Sequence, residues 1–140
     1  MYQVQAHRGC WPALDLTAFL AFLTRRLKLR DGELITLVWA DDSFIQGLNR
    51  DHRGQDRPTN VLSYPSDMDD ELGDLIFAVE TIAQEAAAQS IPFDQHLKHL
   101  ILHGSLHLLG YDHENEQEAE TMEALEAKIL QEIALPNPYA

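Results

Sequence analysis

Apolar positions follow two different periods along the chain. Within the first 80 residues, several short apolar runs are bounded by Gly, Pro or Asp, a pattern typical of strands. These runs predict strands at residues 2–7, 34–40, 59–64 and 72–79. The first run alternates weakly and fits an edge strand. The last contains an unbroken apolar stretch, which is typical of a central strand.

Helical spacing of apolar residues interrupts this strand pattern. Apolar residues three, four and seven positions apart predict a helix over residues 16–27, with Asp15 as its N-cap. A second, short helix capped by Asp41 or Asp42 is predicted to end before a polar loop at residues 50–58.

The remaining residues are patterned as three helices. The first two are predicted at residues 80–89 and 93–109, and Gly110 ends the second. Asn115 and Glu118 have the spacing of a capping box that starts the third. Its expected apolar face consists of Met122, Leu125, Ile129 and Ile133, and its expected solvent face of Glu116, Glu120, Glu123 and Glu126. Strands and helices followed by helices alone predict an α+β fold with one small sheet.

Composition narrows the class of protein. The chain has 140 residues, of which 45% are apolar, so we expect residues 1–140 to form a single domain. Cys10 has no partner within the chain, which is compatible with a reducing compartment. No apolar run approaches the roughly 20 residues that span a bilayer, and the first residues lack the apolar core of a signal peptide. We therefore expect a cytoplasmic protein with no membrane partner.

Charge is distributed unevenly. The formal net charge is −13. Residues 1–66 carry eight Lys/Arg and seven Asp/Glu, whereas residues 67–140 carry two Lys/Arg and sixteen Asp/Glu. This total argues against broad electrostatic attachment to RNA or DNA. Two local basic clusters remain, each either a binding surface or a solvated face. The first consists of Arg25, Arg26, Lys28 and Arg30, and the second of Arg50, Arg53 and Arg57.

The strongest chemical signal is the segment His103–His113, which reads HGSLHLLGYDH. His103 and His107 are one helical turn apart and about 40° apart around the axis, so both imidazoles reach one metal ion. Gly110 permits a sharp turn that brings His113 back as a third ligand. Three neutral imidazoles suit zinc and leave its fourth position open, the pattern of a catalytic site.

Neighbouring residues leave alternatives open. His96 and His99 lie on the same helical arc, and His99 is either a partner of a ligand or an alternative ligand. Asp112 either orients an imidazole and takes a proton, or is an ordinary turn aspartate. The histidine spacing also matches the zinc signature of metzincin proteases, except that Gly104 replaces the glutamate that acts as general base.

The histidine segment resembles the signature of the YbeY family, bacterial metal-dependent endoribonucleases of ribosomal RNA maturation. Other segments agree in order: residues 48–54 and 57–65 resemble the family's arginine-containing loop and following strand, residues 72–76 its next strand, and residues 122–126 its last helix.

The resemblance implies a mixed sheet of about four strands packed with helices around a central, zincin-like metal helix. It implies one zinc ion at His103, His107 and His113, with Arg53 as a functional basic residue at the cleft. It also implies cleavage of single-stranded ribosomal RNA in late 3'-end maturation of the small-subunit 16S RNA, beside the small ribosomal subunit and its assembly factors. DNA is not an expected partner.

Two other functions compete with this one. A zinc peptidase-like hydrolase is favoured by the metzincin-like spacing and disfavoured by Gly104. A ribosome-assembly binding factor with a structural metal is favoured by the acidic total charge, which is unusual for an RNA enzyme. In the leading hypothesis, Arg53 and Asp112 serve catalysis, and Arg50 and Arg57 assist Arg53 in binding RNA.

Overall fold

A mixed sheet of four strands lies at the centre of the fold. The structure is a computed structural model that describes residues 1–9, 12–53, 60–111 and 115–139, and the side chains of these residues except 51–53. Cys10, Arg57, Asp112 and His113 therefore lie outside the described residues, and the predictions made for them stay predictions.

The strand order is β1-β2-β4-β3. Strands β1 (Tyr2–Ala6), β2 (Leu34–Ala40) and β4 (Glu71–Ala78) pair in parallel, and β3 (Val61–Pro65) pairs antiparallel with β4. The predicted edge position of the first strand and central position of the last are confirmed. The small mixed sheet of an α+β fold is confirmed as well.

The two sheet faces carry separate apolar clusters because side chains alternate along each strand. The main core takes one set of alternating residues from the two inner strands, namely Ile35, Leu37, Trp39, Leu75 and Phe77. Ala40, Leu62 and Ala78 belong to a second cluster on the opposite face. The sheet is therefore covered on both faces.

The described helices are α1 (Thr17–Arg26), α2 (Asp42–Arg53), α3 (Val79–Gln89), α4 (Phe93–Leu108) and α5 (Glu116–Glu132). Helix α2 covers the second cluster, and the other four contribute to the main core. No helix in the described ranges combines the length and apolar character needed to cross a membrane.

Side-chain caps determine where two helices begin. The Asp41 carboxylate accepts a hydrogen bond from the Phe44 backbone at 2.8 Å, and the Asn115 side chain accepts one from the Glu118 backbone at 2.8 Å. Both match the predicted caps. Asp15 binds the Thr17 backbone at 3.0 Å, but Leu16 occupies the N-cap position, so the predicted cap of α1 was wrong by one residue.

The predicted loop at residues 50–58 was wrong at its start. Helix α2 continues to Arg53, so Arg50 and Arg53 are helical, and the rest of the predicted loop lies outside the described residues. Polarity and Gly54 predicted the loop, but polar residues such as arginine are good helix formers, and Gly54 is the first strong helix breaker within residues 50–58.

Helix α4 packs closely against β4. A Cβ atom placed on Gly104 would lie 2.8 and 2.9 Å from the two terminal methyl carbons of Leu75, a buried residue of β4. One residue further on, Ser105 is fully buried and its hydroxyl lies 2.8 Å from the Tyr2 hydroxyl of β1. Glycine at position 104 therefore allows the close approach that fixes the helix carrying His103 and His107.

Candidate metal centre

His103 and His107 direct the same ring nitrogen at each other. Their Nε2 atoms are 3.1 Å apart, and the two rings meet edge to face with centroids 4.6 Å apart. Both residues are partly buried on α4. The helical spacing therefore produces the convergent imidazole pair that it predicts.

The opposite nitrogen of each ring is held by a hydrogen-bond acceptor. His107 Nδ1 lies 3.1 Å from the backbone carbonyl of Tyr111, and His103 Nδ1 contacts the carboxylate of Glu126. A backbone carbonyl and an ionised carboxylate only accept hydrogen bonds. Both Nδ1 atoms therefore carry a proton, and in the neutral form of each ring this leaves Nε2 as the atom that can bind a metal ion.

This arrangement fits a divalent metal ion. Metal-binding histidines commonly donate their other N–H to a carboxylate or a backbone carbonyl, as both rings do here. Two imidazole ligands at Zn–N distances of about 2.0–2.1 Å with a tetrahedral angle have nitrogens about 3.3 Å apart. The separation of 3.1 Å between the Nε2 atoms of His103 and His107 is close to that value.

The predicted sharp turn after α4 is formed at Gly110. Gly110 has φ of +104°, a conformation that favours glycine. The Gly110 backbone N–H binds His107 O at 3.0 Å, and the Tyr111 N–H binds Leu106 O at 3.0 Å, which together form a Schellman motif. The turn reverses the chain and brings the Tyr111 carbonyl onto His107. The roles of Asp112 and His113, which follow directly, stay predictions.

Glu126 is a site residue that the sequence reasoning missed. It was predicted to face water, and this was wrong: the side chain is fully buried. At 100° per residue, Glu126 falls between Ile133 and Leu130 on the apolar face of α5. The helical period therefore indicates that Glu126 is buried, whereas its charge suggests an exposed position.

Hydrogen bonds keep this buried carboxylate ionised. Burial raises the pKa of Glu126, but hydrogen bonds from His103, His99 and Tyr139 outweigh it and lower the pKa to about 2. The Tyr139 hydroxyl donates to Oε2, and burial together with this contact raises the tyrosine pKa. The carboxylate is therefore a fixed negative charge behind His103.

His99 and His96 have different surroundings. His99 Nε2 lies 3.4 Å from Glu126 Oε2 and 3.3 Å from the Tyr139 hydroxyl. His99, His103 and Glu126 form a group that could itself hold a metal ion, so the structure also offers a ligand set that includes His99. His96 is buried and binds Glu85 of α3 at 2.9 Å, which assigns it to the packing of α4 on α3.

The first basic cluster is partly used in ion pairs. Arg26 binds Glu132 of α5 through two nitrogens at 2.8 and 3.2 Å, and thus links α1 to α5. Arg30 lies 4.0 Å from Glu33. In the second cluster, Arg50 is exposed on α2 and Arg53 is the last residue of that helix.

The direction in which a side chain at position 104 would point is relevant to the zinc peptidase alternative, because metzincins place their general base there. The Cβ direction of Gly104 points at Leu75 of the sheet. A glutamate at this position on this backbone would enter the core and would not reach the His103–His107 pair. The structure thus offers no place for the metzincin general base at this position.

The fold and the site together define an α+β protein with a candidate metal site, in which a histidine pair lies on a helix packed against the sheet. The family model described as Endoribonuclease YbeY matches residues 14–134. The chain belongs to the endoribonuclease YbeY family, which confirms the resemblance found in the sequence.

Individual relatives agree with this assignment. The endoribonuclease YbeY of Magnetococcus marinus is 48% identical over 120 residues, covering 75% of this chain and 82% of the relative. The endoribonuclease YbeY of Sinorhizobium fredii is 42% identical over 156 aligned residues, covering 98% of this chain and 90% of the relative. The predicted enzyme class, an endoribonuclease, is thus confirmed by its homologues.

A solved structure shows the same fold. The solution structure of TM1509 from Thermotoga maritima is similar with a TM-score of 0.64 at 24% sequence identity. The alignment covers 95% of this chain and 91% of that one. At this level of identity the similarity supports the architecture alone.

Proposed function

We propose that this chain is a zinc-dependent, single-strand-specific endoribonuclease that acts in late 3'-end maturation of 16S ribosomal RNA and in ribosome quality control. The observation that carries the proposal is the His103–His107 pair, whose Nε2 atoms converge while both Nδ1 atoms are held by acceptors. Membership of an endoribonuclease family supports RNA as the substrate.

Three histidines hold one zinc ion per chain in this proposal. His103 and His107 contribute their Nε2 atoms from α4, and His113 completes the set after the turn at Gly110. When bound, zinc activates a water molecule and polarises a phosphoryl oxygen. Glu126 and the Tyr111 carbonyl keep the two imidazoles in the tautomer that leaves Nε2 available to the metal.

The remaining roles belong to groups that handle phosphate and protons. Arg53 contacts the scissile phosphate and stabilises charge in the transition state through paired hydrogen bonds. Arg50 and Arg57 bind neighbouring phosphates. Asp112, next to His113 in sequence, takes a proton during the reaction or orients the imidazole.

The same proposal places the protein in the cytoplasm as one domain over residues 1–140. Its substrate is single-stranded ribosomal RNA, presented by the small ribosomal subunit and its assembly factors. Partners that present the RNA would also explain how a chain with a net charge of −13 acts on a polyanion.

The role of Arg53 provides the first test. Zinc-loaded wild type should cleave single-stranded RNA, leave duplex RNA intact and leave casein intact. Arg53→Ala should lower cleavage about 10²–10³-fold with unchanged zinc content, because one transition-state contact is lost. Arg53→Lys should recover part of the activity, since lysine keeps the charge but loses the two-pronged geometry. Arg8→Ala, which removes an exposed arginine outside both basic clusters, is the matched control.

The outcomes separate the three candidate functions. Cleavage of casein without cleavage of RNA would establish the peptidase alternative. Wild-type RNA cleavage by zinc-loaded Arg53→Ala would show that Arg53 is an ordinary surface residue, and the phosphate role would pass to Arg50 or Arg57, or to the first basic cluster. Intact subunit assembly in a His107→Ala strain would favour the ribosome-assembly binding factor and would contradict the proposed role of the zinc site in processing.

A further inference from the structure

The buried carboxylate of Glu126 is shared by two parts of the chain. From α4, His103 Nδ1 contacts Oε1 and His99 Nε2 lies 3.4 Å from Oε2. From the segment at residues 135–139, which follows α5, the Tyr139 hydroxyl donates to Oε2. A residue far from the histidine motif in sequence therefore reaches the group behind a proposed metal ligand.

Each carboxylate oxygen has its own partner. Tyr139 and His99 hold Oε2, and this leaves Oε1 for His103. A carboxylate fixed at both oxygens does not rotate freely, so the direction of the hydrogen bond that it accepts from His103 is fixed too. Since that bond sets the plane of the imidazole, it also sets where His103 Nε2 points.

The Tyr139 hydroxyl also lies against the alternative ligand group. It contacts Glu126 and is 3.3 Å from His99 Nε2, so it competes with a metal ion for two members of the His99–His103–Glu126 group. The tyrosine ring packs edge to face on the His99 ring with centroids 5.6 Å apart, and this contact fixes the hydroxyl there.

We propose that Tyr139 is a positioning residue of the metal centre: acting through Glu126, it aims His103 Nε2 at His107 and keeps the metal from the His99–Glu126 side. The inference rests on the proposed site at His103, His107 and His113. It adds a hydrogen-bonded chain from residue 139 to the metal and assigns His99 to the support of Glu126.

Three variants test this chain of contacts. Glu126→Gln removes the charge behind His103, and Tyr139→Phe removes the hydroxyl while keeping the ring on His99. Glu120→Gln, an exposed glutamate on the same helix, controls for charge. Tyr2→Phe controls for the loss of a buried hydroxyl, because the Tyr2 hydroxyl lies 2.8 Å from Ser105 of α4 but is outside the Glu126 group.

Two measurements report on the position of the His103 imidazole without depending on enzymatic activity. Competition with a chelator gives zinc affinity, and the visible absorption of the cobalt-substituted protein reports ligand type and geometry. Glu126→Gln should weaken zinc binding about 10–100-fold, the usual range for losing such a partner. Tyr139→Phe should weaken it by roughly 10-fold, the lower end of that range, and shift the cobalt spectrum. Both controls should retain wild-type affinity and spectrum.

The possible results are distinguishable. Absence of zinc binding by the wild type would overturn the proposed metal centre itself. Wild-type zinc binding with unchanged affinity and cobalt spectrum in Tyr139→Phe would overturn the positioning role alone. Thermal unfolding of the metal-free proteins shows whether Glu126→Gln is misfolded. If it is, Tyr139→Phe decides the question, because this substitution changes a partly exposed side chain.

Discussion

Replacing Gly104 by alanine should destabilise the protein, although alanine is the better helix former. The new Cβ atom would lie 2.8 and 2.9 Å from the terminal methyl carbons of Leu75, and that side chain is fully buried. Overpacking of this kind costs about 1–3 kcal/mol, and the gain in helix propensity offsets about 1 kcal/mol. The expected net loss in the free energy of unfolding is about 1 kcal/mol, or roughly 3–5 °C in Tm.

A second helical glycine supplies the matched control. Gly47 lies inside α2, where an added Cβ would meet only Arg50 Nη2 at 4.0 Å. Gly47→Ala should therefore stabilise the protein by about 0.5–1 kcal/mol. Urea denaturation of the metal-free proteins gives both free energies under the same conditions. The two substitutions are chemically identical, so opposite signs isolate the contact with the sheet.

The contact itself can be tested by a double-mutant cycle. Leu75→Val shortens the side chain that the new methyl group would meet, so it should relieve part of the cost of Gly104→Ala. The two changes should couple by about 0.5 kcal/mol or more. Additive effects, or a stabilising Gly104→Ala, would refute the close packing of α4 on β4 and with it our reason for a glycine beside His103.

Further predictions concern the histidines. His107→Ala should release zinc, measured by elemental analysis, because two remaining imidazoles bind the metal far more weakly; full zinc occupancy would show that the ligand assignment is wrong. His99→Ala should retain one zinc per chain, since the proposed three-ligand set of His103, His107 and His113 is complete without it. A loss equal to that in His107→Ala would instead place His99 among the ligands.

Local chemistry made much of the fold predictable. The strand at Leu34–Ala40 was predicted with its observed bounds, because a short run of strand-forming residues lies between polar turns. Asn115 could be read as a cap because its side chain acts on the next turn of its own helix. Likewise, the convergence of His103 and His107 follows from the helical period alone, which is a short-range property.

Other features depend on contacts between distant segments. The sequence contains no local signal that Tyr139 reaches Glu126, because residues 135–139 have no periodic pattern and their position follows from the packing of α5. Glu126 was misplaced because its charge was weighted above its position on the apolar face. The end of α2 was predicted too early for a related reason, since residues 50–53 are polar but contain no glycine or proline to end the helix.

The acidic composition limits how this protein can hold RNA. The net charge is −13, and in the first basic cluster Arg26 is already paired with Glu132. The proposed phosphate contacts are the three arginines Arg50, Arg53 and Arg57. With three contacts to a single strand, the logarithm of the binding constant should fall with the logarithm of salt concentration with a slope of about −2.

This slope can be measured with metal-free protein, which under the proposed function binds the RNA without cleaving it. Fluorescence anisotropy of a labelled single-stranded RNA gives the binding constant at several salt concentrations, and Arg53→Ala should make the slope shallower by about 0.7. A wild-type slope steeper than about −4 would require a wider basic surface and would return the first cluster to the RNA site. An unchanged slope in Arg53→Ala would show that Arg53 does not contact phosphate. The slope depends on the number of phosphates that the protein neutralises, and it does not depend on whether a residue takes part in catalysis.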